Sequence, residues 1–153
     1  MYRVVKKLVG KSLRPIIELN LFVGCLALID TGAEIPVWVG EEDQLAALTG
    51  VSPTGVRSSI GGFGGASEGN VYRMTWVFEG LHYIEMPIVA CNMKNISWDI
   101  VLPATMFDGM RYTVDNIRGE MIFEIQDNQT VRHLKLLGKD GSIHIFSQQT
   151  KIF

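Results

Sequence analysis

Long apolar runs are missing from this 153-residue chain. The longest, Leu21 to Ile29, holds nine residues and is interrupted by Gly24, whereas a membrane-crossing helix needs about 20 apolar residues. The N-terminal MYRVVKKLVGK also lacks the apolar stretch of a secretory signal. A cytoplasmic protein with no membrane partner is therefore expected. Charge of one sign is not concentrated anywhere: the net charge is −2, with Lys and Arg scattered. Without a basic stripe, no nucleic-acid partner is expected. Cysteine is scarce. Cys25 and Cys91 stand far apart with no C-x-x-C spacing, so reduced, buried thiols are expected rather than a bridge or a zinc site. His82, His133 and His144 show no H-E-x-x-H or paired spacing, and neither a metal nor any other cofactor is expected. His133 and His144 alternate with apolar neighbours, as exposed strand positions do.

What is present is ordinary core material, with 47% hydrophobic and 20% charged residues. That is the composition of a single globular domain. Sixteen glycines, set among many Val, Ile, Phe and Tyr, favour β structure with tight turns. Pro15 to Ile29 reads as two strands turning at Gly24. The first alternates Ile17, Leu19 and Leu21 against Glu18 and Asn20; the second is apolar throughout, as a strand buried on both faces would be. Glu41 to Leu48 reads as a short helix with acids in its first turn and Gly50 as its stop. Met74, Trp76 and Phe78, with Met86, Ile88 and Ala90, are spaced by two and read as the core face of strands turning at Glu79-Gly80. Pro103 to Phe107 can open a short helix. Two hairpins are expected near the C-terminus: Tyr112–Val114 with Met121–Ile125, and Leu134–Leu137 with Ile143–Phe146.

Ser58 to Gly69 holds five glycines, a density poorly suited to a regular strand interior. It is no phosphate loop, because it lacks the G-K-[ST] ending. The most informative segment is Leu26-Ala-Leu-Ile-Asp-Thr-Gly-Ala33. Asp30 directly follows five apolar residues, where a lone buried charge is costly. Thr31 and Gly32 then form a turn able to offer backbone N–H groups and a hydroxyl to that carboxylate. A plain Asx turn at a strand end is the simpler account of the same residues.

The context resembles more than a turn. Leu19 to Ile35 resembles the active-site region of the retropepsins, the small aspartic proteases of retroviruses and their cellular and bacterial relatives. In that family an outer strand and turn lead into an apolar strand ending in D-T-G-A. A glycine-rich flap hairpin follows about thirty residues later, where Ile60-Gly-Gly-Phe-Gly-Gly-Ala66 stands here. An apolar triplet and a short helix come next, matched by Asp99-Ile-Val-Leu-Pro-Ala-Thr-Met-Phe107, and then a closing hairpin. One departure is Pro103, where the family usually has glycine.

The resemblance implies an all-β fold: a retropepsin-like acid protease barrel with one or two short helices, one lobe per chain. Residues 1–125 would form it; the region 126–153 lies outside the resemblance and is expected as a C-terminal β extension of the same domain, with no role assigned. It implies aspartic endopeptidase activity on a polypeptide substrate, with Asp30 as the catalytic carboxylate and Thr31, Gly32 and Ala33 as the active-site turn. Thr31 would hydrogen-bond across the dimer. Gly32 would admit the substrate backbone, Glu34 would meet the substrate main chain, and Gly61, Gly62, Phe63, Gly64 and Gly65 would form the flap tip. Such chemistry needs two carboxylates sharing a proton. Asp-Thr-Gly occurs once here, so the second must come from another copy, Asp30 meeting Asp30′ in a homodimer. A non-proteolytic module of the same fold, dimerising or binding peptides, is the alternative.

Overall fold

The computed structural model describes residues 1–10, 14–30, 32–33, 35–62, 65–93, 96–107, 109–126, 130–134 and 147–151. They are mostly strand. In chain order these are β1 (Tyr2–Lys7), β2 (Ile16–Leu19), β3 (Cys25–Asp30) and β4 (Val37–Trp38), then the helix α1 (Glu42–Thr49). The hairpin strands β5 (Arg57–Gly62) and β6 (Gly65–Phe78) follow, then β7 (Leu81–Ala90) and β8 (Ile100–Pro103). A 3-10 turn, Ala104–Phe107, leads to β9 (Arg111–Asp115), β10 (Glu120–Ile125), β11 (Thr130–Leu134) and β12 (Ser147–Lys151). None of the described helices is long and apolar enough to cross a membrane.

Two sheets result. The smaller has the order β1-β10-β9 and is antiparallel; the larger runs β12-β11-β7-β4-β8-β3-β2, with β6 on the other edge of β7 and β5 on β6. Turn chemistry fixes the local connections. Gly24 (φ 81) ends the turn between β2 and β3, and Leu21 lies in that turn rather than extending β2. Glu79 (φ 47) and Gly80 (φ 86) form the tight β6–β7 connection, the left-handed pair that matches strand twist. Helix α1 carries Glu42 and Asp43 in its first turn and ends at left-handed Gly50, whose N–H donates to the Ala46 carbonyl. Only Leu45 of that helix is fully covered.

Alternation works as expected on β6 and β7. Met74, Trp76, Phe78, Met86, Ile88 and Ala90 all join one core cluster, although the ladder slips between Met74 and Trp76. The slip is a bulge at which the Glu85 N–H reaches the Thr75 hydroxyl and Glu85 takes φ 49. Phe78, Phe107 and Phe123 interlock through centroid distances of 5.2 to 5.7 Å, tying the 3-10 turn to both sheets.

One expectation changes. The glycine-rich stretch does form regular strand: six rungs join β5 to β6, from Arg57↔Asn70 to Gly62↔Gly65. Cross-strand pairing within one hairpin offsets the weak strand preference of its glycines. At the C-terminus, β11 pairs antiparallel with β12 and also parallel with β7, so the extension joins the larger sheet. Residues 135–146, which include most of the second expected hairpin and His144, lie outside the described residues.

Candidate active site

Asp30 is the last residue of β3, a strand with the burial expected of it. Cys25, Ala27 and Ile29 enter one core cluster, whereas Leu28, with Leu26 packed against it, enters the other. The strand is therefore covered on both faces, and its polar terminus is the first point at which a charge meets solvent. Asp30 itself is half-buried. Its carboxylate Oδ1 accepts the Gly32 N–H at 2.9 Å, and its carbonyl accepts the Ala33 N–H at 3.2 Å. A side-chain Cβ at Gly32 would stand 3.4 Å from Oδ1, so glycine leaves the carboxylate approachable from that side.

The neighbouring strand β8 runs parallel to β3 with Ala27↔Ile100, Leu28↔Val101, Ile29↔Leu102 and Asp30↔Pro103 in register. Pro103 thus sits on the carboxylate's own rung, where it supplies no N–H. The 3-10 turn after it is anchored by the buried Tyr83 hydroxyl, which donates to the Met106 carbonyl at 2.6 Å. At the other end of the pair, Asp99 bridges the strands. Its Oδ2 accepts the Leu26 N–H at 2.9 Å, its own N–H donates to the Leu26 carbonyl at 2.9 Å, and its carbonyl accepts the Val39 N–H. Sequence reasoning assigned Asp99 no role. The available signal was a carboxylate standing directly before an apolar triplet.

One rung crosses five strands: Ala27, Ile100, Trp38, Ala90 and Asn70 are successive partners. The β5–β6 hairpin springs from this rung, because Asn70 is the last β6 residue before the ribbon paired with β7. Farther out, β5 is the partner of β6 among the described residues. The root is tight. A Cβ on Gly69 would lie 2.0 Å from the Ala90 carbonyl oxygen, so only glycine fits where the ribbon leaves the sheet. Of the expected site residues, Asp30, Gly32 and Ala33 are brought together at the end of β3, and Gly61, Gly62 and Gly65 lie in the hairpin. Thr31, Glu34, Phe63 and Gly64 lie outside the described residues.

Both cysteines are free and buried. Burial first, then the Asp99 and Glu18 carboxylates, push the Cys25 thiol up to about 12; burial also raises Cys91. Neither is a thiolate near neutrality, which argues against a thiol nucleophile. Two surface cavities, of about 360 Å³ beside Lys6, Lys7 and Glu18 and about 340 Å³ beside Arg73 and Glu85, do not include Asp30 in their walls. No family model matches the chain, and neither a curated protein nor a solved structure matches it.

Proposed function

We propose that the chain is one half of an aspartic endopeptidase whose site forms where Asp30 of one copy meets Asp30 of a second. The observation that carries this reading is the half-buried carboxylate at the end of a strand covered on both faces, held by the Gly32 N–H. Its surroundings support it. After β3 come a glycine-rich hairpin, an apolar strand paired beside Asp30, a short helical turn and a closing β9–β10 hairpin. That is the order of parts the resemblance implies.

Two carboxyl groups in contact share one proton, because both cannot easily ionise together. The ionised member takes a proton from a water, whose oxygen adds to the peptide carbonyl carbon. The protonated member gives its proton to the carbonyl oxygen. The resulting gem-diol collapses with cleavage of the C–N bond and protonation of the leaving nitrogen, yielding an acid and an amine. The hairpin closes over the peptide and excludes water.

Pro103, on the rung of Asp30, favours a second reading in which the fold dimerises or holds peptides without cutting them. A diverse peptide library separates the two. Cleavage by the wild type and none by folded Asp30→Asn supports the protease. Peptide binding without cleavage by either protein supports the second reading, and equal cleavage by both refutes Asp30 as catalyst.

A further inference from the structure

Beyond Asn70 the described residues of the β5–β6 ribbon are held by five rungs of their own, Ser58↔Gly69 to Gly62↔Gly65, and an isolated two-stranded hairpin is marginally stable in water. Its direction must be set at the root. There a continuous polar chain joins the ribbon to helix α1. Arg57 Nε donates to Glu68 Oε1 at 3.2 Å across the ribbon, and Arg57 also donates to Asn70 Oδ1 at 2.9 Å. Asn70 Nδ2 passes the connection to Glu42 Oε1 at 2.9 Å, and the same oxygen accepts the Tyr72 hydroxyl at 2.7 Å. Glu42 is the first residue of the helix, where the helix dipole favours its negative charge. One carboxylate oxygen thus joins the helix to the ribbon's last rung and to the sheet strand beyond it.

We propose that Glu42 is a positioning residue for the hairpin, tethering its root through Asn70 and Tyr72 and so fixing the angle at which the ribbon leaves the sheet. For catalysis the proposal rests on the reading of this hairpin as the cover of the Asp30 site. Three observations favour a tether over a surface contact. Tyr72 is buried, Asn70 belongs to both ladders at once, and Gly69 leaves no room for the ribbon to slide against Ala90. Arg57 from β5 and Tyr72 from β6 act on Glu42, whose charge also reaches the Cys91 thiol; Glu68 of β6 pairs with Arg57, and Asp43 on the same helix acts on Tyr72. The hydrogen bonds from Asn70 and then Tyr72 hold the Glu42 carboxyl below its ordinary range, with Arg57 assisting against burial. Burial, then Glu42, pushes the Tyr72 hydroxyl up to about 12. Near neutrality Glu42 is therefore the ionised acceptor and Tyr72 the protonated donor that the tether needs.

The test compares Glu42→Ala with Glu42→Gln, which retains an acceptor oxygen. Hydrogen exchange of the β5–β6 amides reads the tether without reference to cleavage. Glu42→Ala should exchange about tenfold faster or more in the ribbon, the loss expected for hydrogen bonds to a charged group, while β3 and β8 stay protected. Glu42→Gln should restore much of that protection. On a cleaved peptide, Glu42→Ala should raise KM more than it lowers kcat, with recovery in Glu42→Gln. Unchanged ribbon exchange in Glu42→Ala overturns the tether whatever the activity. Faster exchange with unaltered KM and kcat overturns its role in catalysis, and leaves Asp30 to be judged by its own variant.

Discussion

Replacing Gly69 by alanine puts the hairpin root under direct strain. The added methyl would sit 2.0 Å from the Ala90 oxygen, 2.7 Å from its carbonyl carbon and 2.9 Å from Cys91 Sγ. Reaching even 3.0 Å from the oxygen needs a displacement of 1.0 Å in a backbone atom. That shift opens the Asn70↔Ala90 rung, from which the ribbon springs. Overpacking costs about 1–3 kcal/mol, and each ladder hydrogen bond lost adds about 0.5–1.5 kcal/mol. The expected loss is about 3 kcal/mol or more. For a chain of this size that lowers Tm by about 6–12 °C. Gly119 is the control: its φ is 67 and nothing lies within 4 Å of an added methyl, so alanine there costs only the left-handed backbone penalty, about 1 kcal/mol. Both variants would be unfolded in urea and by heat at one protein concentration, which matters if the chain dimerises. A Gly69→Ala variant no less stable than Gly119→Ala would refute the close approach.

Asp99→Ala removes the acceptor of the Leu26 N–H and should cost about 1–3 kcal/mol in urea unfolding; Asp99→Asn should recover much of it, and equal stability of all three proteins would contradict the bridging role. Because the folded Glu42 carboxyl is held below its ordinary value of 4.5, its stabilisation is complete above that pH and is lost as pH falls through the folded value. The stability advantage of wild type over Glu42→Gln should therefore be flat at neutral pH and shrink in acid; an advantage that grows in acid would be wrong in sign. With Cys25 pushed up to about 12 and Cys91 also raised, neither thiol should react appreciably with a disulfide reagent at neutral pH until denaturant is added, and rapid labelling of the native protein would contradict their burial.

Much of the fold was legible because local chemistry and tertiary packing agree. The all-apolar stretch before Asp30 is a strand with both faces covered, Gly50 stops the helix, and Glu79-Gly80 turns β6 into β7. Ser58 to Gly69 was misleading because glycine propensity is local, whereas the β5–β6 ladder is a cross-strand property. Asp30 stood out as a charge at the end of an apolar run. Asp99 and the Glu42–Asn70–Arg57 chain did not, since their partners lie 73, 28 and 13 positions away in sequence. No spacing rule pairs residues that only the sheet register brings together. The parallel alignment of β8 with β3, which puts Pro103 beside Asp30, is likewise set by the topology of the whole sheet.

The central claim is that Asp30 from two copies makes one site, and subunit mixing tests it most directly. Wild-type chain is unfolded and refolded together with about a ninefold excess of Asp30→Asn, and cleavage of one peptide is measured per wild-type chain. Random pairing leaves about a tenth of wild-type chains with a wild-type partner, so activity per wild-type chain should fall to about a tenth. Sedimentation should show the same dimer content in the mixture and in wild type alone. Undiminished activity per wild-type chain, with mixed dimers demonstrably present, would contradict a shared carboxylate pair.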